Sequence, residues 1–257
     1  MALAITTRGM ARYWLGRPGW PEDLRDGQPM ARDVDPASYA GVVGYTYLMG
    51  IPLGVLRPDD LALQEIEDAL RIAERSSDDT VVGYIQAALA LALMHCPEAA
   101  ERDRGQKLGA EVGEVLLNQG RNLCDLPIIE VYLACERARA GDRDDAIALM
   151  RSTADHLFRT GRLLMWGLAA TGVLVETLLD RCADGDVAEA EAAIERLAEA
   201  PADEGLVIRE IWLLRLHALL ARARGDDSVY REYRDHHRDM AKTLGFEGHI
   251  AWAEAMP

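Results

Sequence analysis

The chain has 257 residues, 49% of them hydrophobic and 28% charged, so it can bury a substantial core and is too apolar for a disordered protein. Only 6% are aromatic, and Ala and Leu dominate the apolar residues, which favours an all-α fold. The 43 acidic residues outnumber the 28 basic ones, and the net charge of −15 disfavours nucleic acid and anionic membranes as partners.

The cysteines show no spacing typical of a zinc site or a disulfide framework; they are Cys96, Cys124, Cys135 and Cys182. Because they lie in apolar helical segments, we expect core thiols in a reducing, cytoplasmic environment. We recognise no secretory signal at the N-terminus. The most apolar stretch, residues 163–179, is shorter than a membrane span and contains Glu176, so it predicts a buried helix.

Helical hairpins are predicted along the whole chain. Residues 1–36, interrupted by Pro and Gly, predict a weak first hairpin, with one helix ending near Leu15 and another running from about Pro21 to Arg32. Five hairpins are predicted over residues 37–243, followed by a C-terminal cap over residues 244–257. Since no Ser- or Gly-rich linker separates them, we expect one domain over residues 1–257.

A Gly-Asp turn recurs between helices. Its copies are Gly141-Asp142, Gly185-Asp186 and Gly225-Asp226. A left-handed Gly ends one helix, and the Asp that follows caps the next helix by accepting a bond from a free N–H. Upstream, Pro58-Asp59 and Pro97-Glu98 signal the same kind of turn.

The second helices of the hairpins recur at a regular interval. Their predicted starts are Asp59, Glu98, Asp142, Asp186 and Asp226, with spacings of 39, 44, 44 and 40 residues. A period near 40 indicates stacked helix-turn-helix repeats. Second helices carry one apolar stripe, whereas first helices such as residues 81–94 and 206–220 are apolar on most sides, as expected for helices between neighbours.

The turn resembles the junction of a tetratricopeptide repeat, in which a small Ala packs where the two helices cross. Gly141, Asp142 and Ala146 match it, as do Gly185, Asp186 and Ala190, whereas the third copy carries Tyr230 at the Ala position. The resemblance implies a right-handed α-solenoid with longer repeats than usual. A wider helix crossing is expected at Tyr230.

Longer runs resemble the C-terminal helical region of actinobacterial multidomain signalling proteins. The runs are residues 171–180, 184–197, 202–209 and 244–256. In such proteins a class III adenylate cyclase or a LuxR-type regulator is fused to a nucleotide-binding ATPase module and a repeat array. The resemblance implies that this chain is a fragment of such a protein or a stand-alone homologue of its sensor region.

Catalytic motifs of those larger proteins are not recognised in the sequence. Lys107 lacks the upstream Gly and the following hydroxyl of a phosphate-binding loop, and no strand-like text could carry a cyclase sheet. The run 235–239 contains His236 and His237, but adjacent histidines diverge on a helix, so a solvated face is favoured over a metal site. Beside Cys96, His95 is interpreted as a helix-end group and not as half of a catalytic dyad. We therefore expect no catalytic, cofactor or metal site.

Polar and aromatic residues within the apolar first helices are the candidate binding residues. They are Glu130, Tyr132, Trp166, Glu176, Arg209 and Trp212. A buried charge is costly unless it is paired, so each lines a concave groove or has a structural partner. For the charged residues we favour the second interpretation, a structural pair of Glu176 with Arg209. A core position is favoured for Trp166, Trp212 and Trp252.

The sequence therefore predicts a non-catalytic interaction or sensor module that binds a peptide, a domain or a small effector. Its acidic field favours a basic protein or peptide partner, and a homodimer is left open. The alternative is that the chain belongs to a multidomain adenylate cyclase, ATPase or LuxR-type regulator whose catalytic or DNA-binding parts lie elsewhere.

Overall fold

A computed structural model describes residues 1–32, 34–76, 78–120, 123–201 and 205–256 of the chain. Across these residues all regular secondary structure is helical, so the predicted all-α class is confirmed. Contacts divide the chain into two compact units, Met1–Ile129 and Glu130–Pro257, which we call unit 1 and unit 2. The expectation of a single domain over residues 1–257 stays a prediction.

Unit 1 is built from six helices. They are α1 (Ala2–Trp14), α2 (Trp20–Arg32), α3 (Pro36–Gly50), α4 (Asp60–Ser76), α5 (Asp79–Met94) and α6 (Ala99–Gln119). The predicted first pair of helices, α1 and α2, is confirmed to within a residue at each predicted boundary. The carboxylate of Asp23 links the two helices. This buried group on α2 accepts hydrogen bonds from Arg8 Nε and Nη2 at 3.0 and 2.7 Å, and from Arg12 Nη1 at 2.8 Å, both arginines being on α1.

The next helix, α7 (Leu126–Arg139), runs across the unit boundary, and unit 2 contains the rest. They are α8 (Arg143–Arg159), α9 (Leu168–Arg181), α10 (Asp186–Glu199), α11 (Val207–Ala223), α12 (Asp227–Leu244) and α13 (Glu247–Ala255). The predicted helix over residues 163–179 is divided. Leu163–Gly167 forms a π-helical turn ahead of α9, in which Gly167 N donates to Arg162 O at 3.3 Å, five residues back.

The turn glycines adopt the predicted left-handed conformation. The φ angles of Gly141, Gly185 and Gly225 are 110°, 91° and 75°. Ala146 and Ala190 are fully buried, as expected for residues at a close helix crossing. At the third copy, Tyr230 is also buried and packs with Ala218 and Ala221.

Of the three turn aspartates that are predicted to cap the helix that follows, only Asp226 at the third copy does so. Asp226 caps α12 by accepting a bond from Val229 N at 3.1 Å. Asp142 makes no side-chain cap bond. For Asp186 the prediction was wrong: it is the first residue of α10, and its carboxylate accepts from Ala183 N at 2.8 Å and from Arg181. The guanidinium of Arg181 competes successfully for this carboxylate, because a charged donor forms the stronger bond.

Within each unit, most helix contacts are between helices that follow one another along the chain. The odd-numbered helices contact each other, α1 with α3, α3 with α5, and α9 with α11. Hydrogen bonds between side chains far apart in the sequence recur at separations close to the repeat period of about 40 residues. The separations are 37 for Arg104–Glu67, 38 for Arg151–Glu189, 39 for Arg215–Glu176 and 41 for Arg196–Asp155.

Two of the four cysteines depart from the prediction of core thiols. Cys96 is buried and Cys135 partly buried, whereas Cys124 and Cys182 are exposed. Cys182 ends α9 in the left-handed conformation, with a φ of 50°, which places it at a surface turn. Among the described residues, the longest and most apolar helices fall short of what a membrane span requires.

Candidate functional site

A groove of about 550 Å³ lies in unit 1 and is lined by α1, α3 and α5 together with the residue that precedes α5. Its lining residues are Leu3, Thr7, Ala37, Ser38, Gly41, Val42, Tyr45, Asp78, Thr80, Val81 and Tyr84. All three helices are first helices of the predicted hairpins, and most of the lining comes from their N-terminal turns. Successive hairpins therefore contribute equivalent segments to one surface.

Two aspartates fix the helix starts that form one end of the groove. Asp35 caps α3 by accepting a hydrogen bond from Ser38 N at 2.8 Å, and Pro36 follows at the first helical position. Asp78 caps α5, with its Oδ1 atom accepting from Thr80 N at 3.1 Å and from Val81 N at 3.2 Å. Because Oδ1 accepts both bonds, Oδ2 of Asp78 takes no part in the cap.

Glycines keep α3 close to α5 and leave the groove open. A Cβ atom at Gly44 would lie 2.9 Å from Ile85 and 3.1 Å from Tyr84, so only Gly allows α3 to approach α5 at this point. A Cβ atom at Gly41 would meet no atom within 4 Å. Gly41 therefore borders empty space in the groove.

Two tyrosines provide the aromatic part of the lining. The rings of Tyr45 and Tyr84 are 6.2 Å apart between centroids and are inclined by 24°, which is an offset stack. Burial raises the pKa of both hydroxyls, and the nearby carboxylate of Asp125 raises them further. Both hydroxyls are therefore protonated at neutral pH and can donate or accept hydrogen bonds.

The polar atoms of the lining are hydroxyls and one carboxylate. The hydroxyls belong to Thr7, Ser38, Tyr45, Thr80 and Tyr84, and the carboxylate to Asp78. Among the lining residues that the structure describes, none is Lys, Arg or His. Leu3, at 56% exposure, adds an apolar side chain at the surface. The arrangement suits a ligand with an apolar body and hydrogen-bond donors.

The tryptophans that we considered as groove residues lie in the core of unit 2. Trp166 and Trp212 are 0% and 1% exposed, so neither lines a groove, and the favoured core interpretation is confirmed for both. Trp212 packs directly over the backbone of α9 at Gly172, where a Cβ atom would lie 2.1 Å from its Cζ3 atom. Trp252 is partly buried, and its ring centroid is 5.3 Å from that of Trp212.

The predicted ion pair of Glu176 exists, but its predicted partner was wrong. Glu176 on α9 accepts a hydrogen bond from Arg215 Nη1 on α11, and the Arg215 side chain is only 11% exposed. The guanidinium of Arg215 also lies 4.7 Å from the ring centroid of Trp252. Arg209 instead donates to the carbonyl of Ala200 at 2.6 Å.

The two candidate residues on α7, Glu130 and Tyr132, differ in burial. Tyr132 is buried, and burial raises the pKa of its hydroxyl. Glu130 is partly buried, and desolvation raises the pKa of its carboxyl. Burial also raises the pKa of the neighbouring Cys135 thiol to about 11, so this cysteine is not an activated nucleophile.

A buried histidine pair lies beside the tryptophans of unit 2. His237 Nε2 and His249 Nδ1 are 3.0 Å apart, and both side chains are fully buried. The ring centroid of His249 is 4.8 Å from that of Trp252. Burial, reinforced by the charge of Arg215, lowers the pKa of His237 to about 3, so His237 is neutral at pH 7. The predicted solvated face is therefore wrong for His237, which is a core residue.

The other sequence candidates for chemistry also make structural contacts. His95 Nδ1 bonds the carbonyl of Leu91 at 2.7 Å, and Cys96 Sγ donates to the carbonyl of Ala92 at 3.5 Å. Burial raises the pKa of Cys96 to about 11. Within the described part of the chain, no three His, Cys, Asp or Glu side chains come together in a way that could hold a metal ion.

Comparison with known proteins adds no relative. No protein-family profile, no curated protein and no solved structure matches this chain.

Proposed function

We propose that this protein is a non-catalytic interaction module, a tetratricopeptide-like solenoid that binds a segment of a partner protein. The groove of unit 1 is the binding site, and occupation of the groove regulates or scaffolds a signalling partner. The observation that carries the proposal is the lining itself, because α1, α3 and α5, three successive first helices, contribute to one open surface.

The spacing of contacts supports the solenoid. In a stack of hairpins, each residue meets its counterpart one repeat away. Side-chain bonds at separations of 37 to 41 residues agree with helix starts spaced by 39 to 44. The contacts of α3 with α1 and α5 agree with stacked first helices.

The chemistry of the groove supports a peptide as its ligand. A peptide offers apolar side chains for Leu3, Val42 and Val81, and backbone N–H and C=O groups for the hydroxyls of Tyr45 and Tyr84. About 550 Å³ is a volume that accommodates a few side chains. Regulation through such a site needs no reacting group in the chain.

A random-peptide selection on the full chain tests this function. The competing variant is Gly41→Leu, which fills the groove at a point where a side chain meets no atom, leaves the net charge unchanged and keeps α3 helical. We expect peptides that bind the wild type at least about tenfold more tightly than Gly41→Leu. Ala110→Leu, on the exposed face of α6, adds a similar volume outside the groove and should bind like the wild type.

Two results would contradict the proposal. One is a selection that yields no peptide sensitive to Gly41→Leu. The other is turnover by the chain itself, because the proposed function includes no catalysis. Incubation with ATP and Mn²⁺ checks the reaction class implied by the cyclase resemblance, and cyclic nucleotide above background would overturn the non-catalytic assignment.

A further inference from the structure

Two arginines of unit 2 show how this chain binds a guanidinium. Arg215 lies 4.7 Å from the ring centroid of Trp252 and is paired with Glu176. Arg196 lies 4.1 Å from the ring centroid of Phe158 and is paired with Asp155. In both cases an aromatic face and a carboxylate hold one guanidinium, which combines a cation–π contact with a charge-assisted hydrogen bond.

The groove of unit 1 has the same two components, and its described lining residues include no cation. The stacked rings of Tyr45 and Tyr84 provide aromatic surface, and Asp78 provides a carboxylate whose Oδ2 atom takes no part in the helix cap. Within the described part of the chain, no Lys or Arg lines the groove. The position that Arg215 and Arg196 occupy in unit 2 is therefore available to a ligand.

The charges around the groove favour a cation over an anion. The N-termini of α3 and α5 each carry roughly half a positive charge. Their caps, Asp35 and Asp78, each carry a formal negative charge. The carboxylates therefore outweigh the helix dipoles, in a chain whose net charge is −15.

We propose that the groove binds an arginine side chain of the partner segment, with its guanidinium on the Tyr45–Tyr84 stack and paired with Asp78. This inference rests on the proposed function and names the chemistry of its ligand. Arginine fits better than lysine because a planar guanidinium can stack on a ring while it donates to a carboxylate. The flanking residues of the partner are apolar, since Leu3, Val42 and Val81 complete the lining.

The test uses the peptides recovered from the selection on the full chain. We expect the peptides that lose binding to Gly41→Leu to share an arginine next to apolar residues. Each is then synthesised with citrulline in place of that arginine, which keeps the shape and removes the charge. Titration calorimetry should show about tenfold weaker binding of the citrulline peptide to the wild type.

A matched pair of variants assigns the effect to one carboxylate. Asp78→Asn keeps a good helix cap and should bind arginine and citrulline peptides almost equally. Asp79→Asn removes the same charge one residue away, outside the lining, and should keep the wild-type difference. Retention of the preference by Asp78→Asn, or its loss in both variants, would overturn the assignment to Asp78.

The outcomes separate this inference from the proposed function. Groove-dependent peptides without arginine, or with equal affinity after the citrulline change, overturn the inference and leave the function standing. A selection without groove-dependent peptides overturns both. Arginine peptides that bind Gly41→Leu as well as the wild type show attraction to the acidic surface alone and also overturn the inference.

Discussion

Units 1 and 2 use their first helices in different ways. In unit 1, α1, α3 and α5 line an open groove whose described lining residues include hydroxyls and one carboxylate. In unit 2, Arg215 on α11 is held by Glu176 on α9 and lies against Trp252 on α13. Tyr45–Tyr84 in unit 1 and Glu176–Arg215 in unit 2 have the same separation of 39 residues. A separation of about one repeat thus brings together two aromatic rings in unit 1 and a structural ion pair in unit 2.

The largest expected effect is at a helical Gly that is packed against a buried ring. In unit 2, Gly172→Ala places a Cβ atom 2.1 Å from Trp212 Cζ3, an overlap that the packed ring can relieve only by moving. We expect a loss of about 3 kcal/mol in the free energy of unfolding, measured with urea.

Gly83→Ala is the matched change in unit 1. Its Cβ atom would lie 3.8 Å from Leu116, an ordinary contact, so the substitution should be neutral or stabilising by up to about 1 kcal/mol. If Gly172→Ala cost no more unfolding free energy than Gly83→Ala, Trp212 would not be as closely packed against α9 as described.

Removal of the carboxylate that holds Arg215 should have the second largest effect. Glu176→Ala leaves a guanidinium at 11% exposure without its ion-pair partner, and we expect a loss of about 2 kcal/mol in unfolding free energy. The exposed pair Arg151–Glu189 is the control, because Glu189→Ala should cost less than about 1 kcal/mol. A similar loss of unfolding free energy for both substitutions would show that the Arg215 guanidinium is effectively exposed to solvent.

Mild acid should destabilise unit 2 through His237. The folded protein lowers the pKa of His237 to about 3, whereas the unfolded side chain takes up a proton near pH 6.5. The stabilisation is therefore complete above about pH 6.5 and is lost as the pH falls towards 3. From pH 7 to 5.5 the loss should be about 1 kcal/mol. His237→Gln should show a flatter pH dependence in urea unfolding, and an unchanged slope would refute the assignment.

The smallest expected effect is a gain in stability at the groove of unit 1. Gly41→Ala adds a Cβ atom that meets no atom within 4 Å, and it removes the backbone freedom of Gly from the unfolded chain. We expect a stabilisation of about 0.5 kcal/mol in the same urea measurement. Destabilisation would mean that the groove at Gly41 is filled, and the contrast with unit 2 would disappear.

Turn chemistry made much of the helical architecture predictable. The φ angles of Gly141, Gly185 and Gly225 follow from the short turns, and the burial of Ala146 and Ala190 follows from their place after each turn. The role of Asp186 did not follow, because its carboxylate bonds to Arg181. Hydrophobic periodicity also gave no sign of the π-helical turn at Leu163–Gly167, which alters a helix by one residue without changing its apolar character.

The pairing of Glu176 illustrates what sequence reasoning missed and what could have found it. Looking for a charge within the next first helix leads to Arg209, but Arg209 is the third residue of α11 whereas Glu176 is the ninth of α9. Arg215 is the ninth residue of α11. Arg215 follows Glu176 by 39 residues, which is close to the repeat period of about 40, and Tyr84 follows Tyr45 by the same 39 residues. Neither composition nor local pattern shows how deep the groove is, because its volume depends on side-chain packing.

The contact of Gly172 with Trp212 also restricts how this sequence can have evolved. The ring occupies the place where a Cβ atom at position 172 would be, so a side chain at position 172 and the Trp212 ring compete for the same space. A tryptophan at 212 could be acquired only with, or after, a glycine at 172. The reverse path requires position 212 to become smaller before position 172 gains a side chain. Relatives of this chain in which position 172 carries a side chain should therefore have a residue smaller than Trp at position 212.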